Sequence, residues 1–186
     1  MTKSPAGRAL TITVLAIGSL HCTAGADSEA ASGSLERIDA CALLPKSEVE
    51  AIVGTTVPEA DPHFSEHSYT KPVTYTAGCI YGGDNPVIVA VNYPTSSGAT
   101  TSEQLAARLT KWLREEQESE EEASIADAMQ GLAAQPVSGV GSAAAAYDFL
   151  GTTTLEAVAG SYQVKVTGRS LDVSQRVAQK VIERLD

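Results

Sequence analysis

The cysteine pair Cys41 and Cys79 constrains the fold of this chain more than any other feature of its sequence. If the two are joined, the bond ties the residues just before a short helix to the middle of a β-strand. It closes a loop of just under forty residues, which is worth about 4 kcal/mol in the chain-entropy model. That is a large share of a total stability of roughly 5–15 kcal/mol. Whether the bond forms depends on whether the chain meets an oxidising compartment.

The first residues have the pattern of an export signal. Lys3 and Arg8 form a basic start, and an uncharged, mostly apolar run of twelve residues follows. This run is shorter than the about 20 residues of a transmembrane helix. Positions 24–26, Ala-Gly-Ala, offer a cleavage site that makes 1–26 a signal peptide. The alternative is lipidation of Cys22, although its neighbours match a lipid-attachment site poorly.

Both routes predict an exported protein that is periplasmic, at the cell surface or secreted, with membrane contact only through a lipid on Cys22. Both also remove Cys22 as a free thiol and leave Cys41 and Cys79 as an even pair. Disulfides persist in an oxidising compartment. The alternative is a reactive thiol, but neither cysteine has the helical or basic setting that activates one. We therefore predict a structural disulfide between Cys41 and Cys79.

Length and charge limit the organisation and the partners. Residues 27–34 are rich in Ser, Ala and Gly and predict a flexible spacer before a single domain at 35–186. The formal net charge of −10 becomes −12 when Lys3 and Arg8 leave with the signal, since no acid leaves with them. Such an acidic chain repels nucleic acid and anionic membranes. With 5% aromatic residues it also lacks a stacking platform for bases or sugars.

Hydrophobic periodicity predicts the elements of the first half. Leu44 to Gly54 predicts a short helix, with Pro at its first turn and Gly just past its end. Residues 55–72 contain three prolines and predict mostly a loop. The next two runs predict a β-hairpin about 82–85, whose first strand places Val73, Tyr75, Ala77, Cys79 and Tyr81 on one face. A long helix from Thr101 follows, with a buried stripe of Leu105, Leu109, Trp112 and Leu113.

The second half repeats this scheme. Strands are predicted at 142–150, at 152–159 and around Tyr162 to Val166, and a last helix is predicted with Asp172 as its cap. The sequence therefore predicts an α+β fold: an antiparallel sheet with helices packed on one face, two similar strand-strand-helix halves, and one disulfide.

Several short motifs resemble those of a known family. They are Asp39-x-Cys41-x-Leu-Leu leading into a helix, the Cys79-x-Tyr81 strand, Val-Ser-Gly-Val-Gly-Ser-Ala-Ala at 137–144, and the closing helix. This arrangement is similar to a family of small exported bacterial lipoproteins that carries only a domain-of-unknown-function label. The resemblance implies an envelope location and a disulfide between Cys41 and Cys79, and it implies no activity. The imperfect lipid-attachment site at Cys22 departs from the family pattern.

The sharpest candidate for chemistry is His63-x-x-Glu66-His67, the inverted zinc-peptidase motif. That chemistry needs two histidines one helical turn apart on zinc, with the glutamate as base. Here the segment follows Pro62, has no apolar stripe to support a helix, and lacks a suitably placed downstream glutamate ligand. We therefore expect a solvated polar loop, with a metal-dependent hydrolase as the alternative.

The other motifs favour structural roles. The glycine pattern at 139–144 fits a dinucleotide-binding motif, but a strand rather than a helix is predicted after it, so we expect a turn. The glutamate run at 115–122 lacks the interleaved Asp, Asn and Gly of a calcium loop, so we expect a solvated helix face. We expect no catalysis and no cofactor. The prediction is an exported envelope protein that binds an unknown protein or small molecule, or else has a purely structural role.

Overall fold

The chain folds around one antiparallel sheet, which has seven strands among the described residues of the computed structural model. The structure describes residues 37–67, 73–95, 98–119 and 123–185, and all of them belong to one compact unit. The expected signal peptide, the spacer and Cys22 lie outside the described residues. The α+β class and the antiparallel sheet are confirmed.

The strands form a single layer in the order β1-β2-β3-β7-β6-β5-β4. The helices are α1 Ala40–Leu43, α2 Lys46–Val53, α3 Ser102–Ser119, α4 Ala123–Met129 and α5 Leu171–Ile182. The strands are β1 Asp61–His67, β2 Thr74–Tyr81, β3 Val87–Tyr93, β4 Gln135–Val137, β5 Ala143–Phe149, β6 Thr152–Ala159 and β7 Tyr162–Gly168. Each half has strands followed by a helix, as predicted: β1 to β3 with α3, and β5 to β7 with α5. The halves meet where β3 pairs with β7, and the short strand β4 adds an edge beside β5.

One face of the sheet carries the main hydrophobic core, which α1, α2 and α5 cover. The alternation of β3 and β7 places Val89 beside Val166 and Val91 beside Val164, and all four side chains are fully buried. Each buried valine contributes about 1.5–3 kcal/mol relative to an exposed one. The predicted inward face of the hairpin is also confirmed from Tyr75 onward, because the odd-numbered positions of β2 and β3 lie in this core or pack against it. Val73 precedes β2 and is not part of this core.

The predicted Cys41–Cys79 disulfide is confirmed, and it joins α1 to β2 within this core. Asp39 caps α1 by accepting hydrogen bonds from two of its backbone N–H groups. On the same face of β2, Tyr81 is fully buried and its hydroxyl donates to the carbonyl oxygen of Leu44. Burial, and after it the negative charge of Asp39, raises the pKa of Tyr81 to about 12. A covalent link and a polar link thus both hold the α1–α2 segment on the sheet.

The helix α3 lies on the opposite face of the sheet, over β5. This corrects the expectation that all helices cover one face. The reason lies in β5, where Ala143 and Ala145 pack toward α3 while Ala144 and Ala146 pack into the main core, all of them buried. A strand that is buried on both faces reads as a continuous apolar run rather than an alternating one. The strand β5 is therefore buried by α3 on one face and by the main core on the other.

Helix ends follow the sequence signals in one case and depart from them in another. Gly54 ends α2 in the left-handed conformation, with φ of +77°, as predicted. The cap of α5 is Ser170, whose side chain accepts from the N–H of Val173 at 3.4 Å. The prediction of Asp172 as the cap is wrong, because that residue lies in the first turn, where its charge suits the helix dipole.

The glycine-rich stretch before β5 is a turn, as predicted. Gly141 has a φ of +58°, and a Cβ on this residue would overlap the carbonyl oxygen of Val158. The next residue, Ser142, donates its backbone N–H to the same carbonyl at 2.8 Å. Only glycine allows both the left-handed conformation and this close backbone approach. The motif therefore serves the packing of this turn on β6.

Candidate functional site

The side of β1, β2, β3 and β7 that faces away from the main core forms what we call the open face. No described helix packs across this side of β1 and β2. Its exposed positions include Ile80 and Ile88, which pair across β2 and β3 and are each about two-fifths exposed. Antiparallel sheets commonly carry one wet face of this kind. A solvent-exposed sheet face is therefore not evidence of function by itself, and the side chains that it carries have to be considered.

A continuous line of polar side chains, which we call the polar row, crosses the open face. It consists of Ser65 and His67 on β1, Thr76 on β2, Asn92 on β3, Gln163 on β7 and Glu156 on β6. The strand register puts Ser65 opposite Thr76, Thr76 opposite Asn92, and Asn92 opposite Gln163. Direct cross-strand neighbours lie close enough for their side chains to interact. The row therefore joins side chains from both halves of the chain.

Hydrogen bonds order the first part of the polar row. The Thr76 hydroxyl donates to Oδ1 of Asn92 at 2.6 Å and lies 3.1 Å from Nε2 of His67. Because the one hydrogen of this hydroxyl is directed to Asn92, its oxygen is free to accept a hydrogen bond from Nε2 of His67. Ser65 lies 3.4 Å from the same nitrogen. The amide nitrogen of Asn92 remains a group that can donate to a ligand.

A buried carboxylate lies at the other end of the row. Glu156 is only 6% exposed, and one of its oxygens accepts a hydrogen bond from the side-chain amide of Gln163. Its other oxygen lies 3.8 Å from Nζ of Lys165. The same Nζ lies 5.6 Å from the ring centroid of Trp112 on α3, within cation–π range. Carboxylate, amide, ammonium and indole thus form one group at the border between α3 and the sheet.

Two shallow clefts follow the polar row and share Gln163. The threonine cleft has a volume of about 290 Å³ and is lined by His67, Thr74, Thr76, Asn92, Pro94, Thr95 and Gln163. The tryptophan cleft has a volume of about 330 Å³ and is lined by Arg108, Leu109, Trp112, Glu156 and Gln163. Both volumes lie near the lower end of the range for small-molecule sites. The shared side chain makes the two clefts adjacent parts of one site.

The zinc-peptidase motif does not form a site in this geometry. Its segment is the edge strand β1, so the predicted loop is wrong. His63 and His67 point to the same side of the strand, but their Cα atoms are about 13 Å apart at the rise of a β-strand. Glu66 points to the opposite side. Side chains so arranged cannot converge on one ion with bonds of about 2.1 Å. The described residues hold no group of three or more His, Cys, Asp or Glu placed for a metal.

A further cleft of about 380 Å³ lies where β1 meets the segment before α1. Arg37 stacks over the ring of Phe64 there, with 4.0 Å between the guanidinium carbon and the ring centroid. His63 also lines this cleft, so the structure assigns the two histidines of the motif to different clefts. None of the polar side chains that line this cleft is buried, and Gly78 lines it without a side chain. The polar row, which includes the buried carboxylate of Glu156, is therefore the stronger candidate for a binding site.

Sequence reasoning missed most of the site. Trp112 was predicted to be buried in the stripe of α3, but 40% of it is exposed at the edge of the tryptophan cleft. The composition argument against a stacking platform therefore overlooked this residue. Glu156 carried a usable signal, because it is the one acid in a strand that otherwise reads as buried. Gln163 and Lys165 alternate with the buried Val164 and Val166 along β7, which assigns them to the other side of the strand but indicates no partner.

Comparison of the chain with known protein families, with curated proteins and with solved structures finds no match. None of the helices among the described residues is long and apolar enough to cross a membrane.

Proposed function

We propose that this chain is an exported protein of the cell envelope that binds a small polar ligand along the polar row and does not transform it. The observation that carries this proposal is the pair of adjoining clefts that share Gln163. Polar residues alone would not suffice, since the wet face of any antiparallel sheet carries them. What distinguishes this face is a hydrogen-bonded row that ends at a buried carboxylate.

A small ligand suits the open face better than a protein partner does. Protein-binding surfaces commonly present an apolar patch of several hundred Å². The apolar side chains exposed on the open face of β2 and β3 are Ile80 and Ile88, one cross-strand pair. Most of the side chains that line the threonine cleft offer hydroxyls, amides or an imidazole. These are the few well-placed polar groups that orient a small molecule in a cleft.

Export is supported by two independent features. The pattern of residues 1–26 is that of a signal peptide, with lipidation of Cys22 as the alternative route. The Cys41–Cys79 disulfide belongs with this proposal, because such bonds persist outside the reducing cytosol. Membership in the envelope lipoprotein family is part of the same proposal and rests on the motifs quoted above. The periplasm, the cell surface and the medium are the three locations it allows.

The intact mass of the mature protein tests the export route. We expect a chain that begins at Asp27, because the Ala-Gly-Ala site fits signal cleavage better than Cys22 fits lipid attachment. An intact mass that includes a diacylglyceryl adduct on Cys22 would instead show that the mature protein is lipid-anchored. A full-length chain retained in the cytoplasm would contradict export by either route.

Binding at the open face can be tested without knowing the ligand. A fragment library of sugars, amino acids, carboxylic acids and amines is titrated into ¹⁵N-labelled protein. The side-chain amides of Asn92 and Gln163 report on the two clefts directly, and that of Asn85, in the β2–β3 turn, is the control. We expect hits from at least one chemical class to move the first two signals and to leave the third unchanged. Hits confined to other surfaces, or a fragment recovered with altered mass, would contradict the proposal.

A further inference from the structure

The buried carboxylate of Glu156 is the feature of the sheet that packing explains least. Its neighbours along β6 are apolar and buried, and its side chain is 8% exposed. Burying an ionised carboxylate costs several kcal/mol unless partners compensate for the lost water. Gln163 and Lys165 supply part of that compensation. A carboxylate accepts about four hydrogen bonds, so Glu156 keeps capacity to accept from a ligand in the tryptophan cleft.

Trp112 supplies an aromatic surface beside this carboxylate. It is the one tryptophan in the sequence, and 40% of its surface stays exposed although its helix neighbours Leu109 and Leu113 are buried. An exposed indole at the edge of a cleft can stack on the C–H face of a ligand while polar groups nearby bind its polar edge. The tryptophan cleft therefore has both an apolar surface and a hydrogen-bonding wall.

The rest of the site continues this mixed chemistry with uncharged groups. Thr76 and Asn92 extend it across β2 and β3 with hydroxyl and amide groups. Neighbouring strands lie about 4.8 Å apart, so the distance across the sheet from Thr76 on β2 to Glu156 on β6 is about 14 Å. A ligand that fills both clefts is therefore elongated and carries many hydrogen-bonding groups.

From this geometry we propose that the ligand is a saccharide: a short run of sugar rings whose hydroxyls bind the polar row and whose C–H face stacks on Trp112. The inference rests on the proposed function and specifies its ligand class. Sugar hydroxyls both donate and accept, which matches a wall that offers the carboxylate of Glu156, the amides of Gln163 and Asn92, and the hydroxyl of Thr76. Free oligosaccharides and envelope glycans share this chemistry.

Charged ligands match the site less well. In the tryptophan cleft an anion such as phosphate would meet the carboxylate of Glu156 as well as the guanidinium of Arg108, so the cleft offers it no uniformly positive surface. A cationic ligand would seek the position between a carboxylate and an indole, but the ammonium of Lys165 already occupies it. A neutral, hydroxyl-rich ligand needs no such exchange of charge. It can add hydrogen bonds to the ion pair while leaving it intact.

The single tryptophan makes the test specific to the site. Neutral trisaccharides of glucose, of mannose and of N-acetylglucosamine are titrated into the mature protein, and the fluorescence of Trp112 is followed. The side-chain amides of Asn92 and Gln163 give a second readout by NMR. We expect saturable changes in both signals with at least one trisaccharide. Inorganic phosphate and lysine methyl ester serve as the charged probes and should produce neither change.

Variants assign the binding to the proposed groups. Glu156→Gln should raise the Kd about tenfold, since hydrogen bonds to a charged group are the stronger ones. Trp112→Ala, followed by NMR, should raise the Kd by about tenfold as well, through the lost stacking. Ile88→Ala, which alters an equally exposed side chain outside both clefts, is the control and should leave the Kd unchanged. A saccharide Kd that is unchanged in both Glu156→Gln and Trp112→Ala would overturn the inference.

The outcomes also separate this inference from the proposed function. If phosphate, an amine or another fragment class moves the Asn92 and Gln163 signals and no saccharide does, the open face binds a ligand but the saccharide class is wrong. If no probe moves them, both proposals fail. Sedimentation with an insoluble polymer of the bound sugar distinguishes the sources. Binding to the polymer as well as to the trisaccharide indicates that the ligand is part of a glycan chain. Binding to the trisaccharide alone indicates that the ligand is a free oligosaccharide. Both results support the saccharide class.

Discussion

Removing the Cys41–Cys79 disulfide should cost the protein about 4 kcal/mol of unfolding free energy. The two cysteines are 38 positions apart. A loop of that length gives an entropy of about −13 cal/mol/K in the chain-entropy model, or about 4 kcal/mol at 25 °C. For a urea m-value of about 2 kcal/mol/M, the unfolding midpoint should fall by about 2 M. Cys41→Ala and Cys79→Ala should each show this loss, and the double variant should be no worse than either.

Serine variants provide a second comparison that depends on burial alone. Cys79 is fully buried in the core, whereas Cys41 is partly exposed. Cys79→Ser should therefore lose about 1–3 kcal/mol more than Cys41→Ser, because its hydroxyl is buried in an apolar core. Urea unfolding of all five variants beside the parent protein measures both effects. Additive losses in the double alanine variant, or single losses below about 1 kcal/mol, would refute the loop-closure argument.

Two further predictions use the same unfolding assay. The pKa of Tyr81 is raised to about 12 in the folded protein, against about 10 in the unfolded chain. The folded state therefore keeps a proton that the unfolded state loses. The free energy of unfolding should keep its full value at pH 9 and be lower by about 1 kcal/mol at pH 11. In Tyr81→Phe this decline with pH should be smaller. An unchanged decline in the variant would contradict the assignment to Tyr81. Gly141→Ala should cost about 3 kcal/mol, from left-handed strain together with the overlap on the β6 carbonyl. Gly139→Ala, with a φ of +77° and open space around its Cβ position, is the control and should cost about 1 kcal/mol; equal losses would show that no close contact is made.

The sequence was sufficient where a residue's role depends on its near neighbours. The alternation of β2 and β7 predicted which side chains enter the core, because the period of a strand is fixed at two. Gly54 predicted the end of α2, because few other residues adopt a positive φ. The cysteine pairing followed from counting. Each of these inferences needs only local geometry or a small number of alternatives.

Sequence reasoning failed where a distant strand or helix decides the outcome. The segment 61–67 contains a proline and no apolar alternation, so nothing local predicts β1; pairing with β2 supplies its hydrogen bonds. Trp112 lies on the same side of α3 as Leu109 and Leu113, but the helix packs on β5, and the edge of its stripe remains outside that contact. The proximity of Glu156 to Trp112 likewise depends on where α3 lies.

The position of α3 explains why the candidate site exists at all. The helix follows β3 in the chain but packs on β5 in the other half, whereas α5 packs on β6 and β7 of its own half. The first half therefore lacks a helix of its own on the open face, and His67, Thr76 and Asn92 stay accessible. Gln163 and Glu156 come from the second half and reach them only through the pairing of β3 with β7. Because no short segment contains the whole site, a local signal could indicate only single members of it, such as Glu156. Ligand binding should therefore depend on that central pairing.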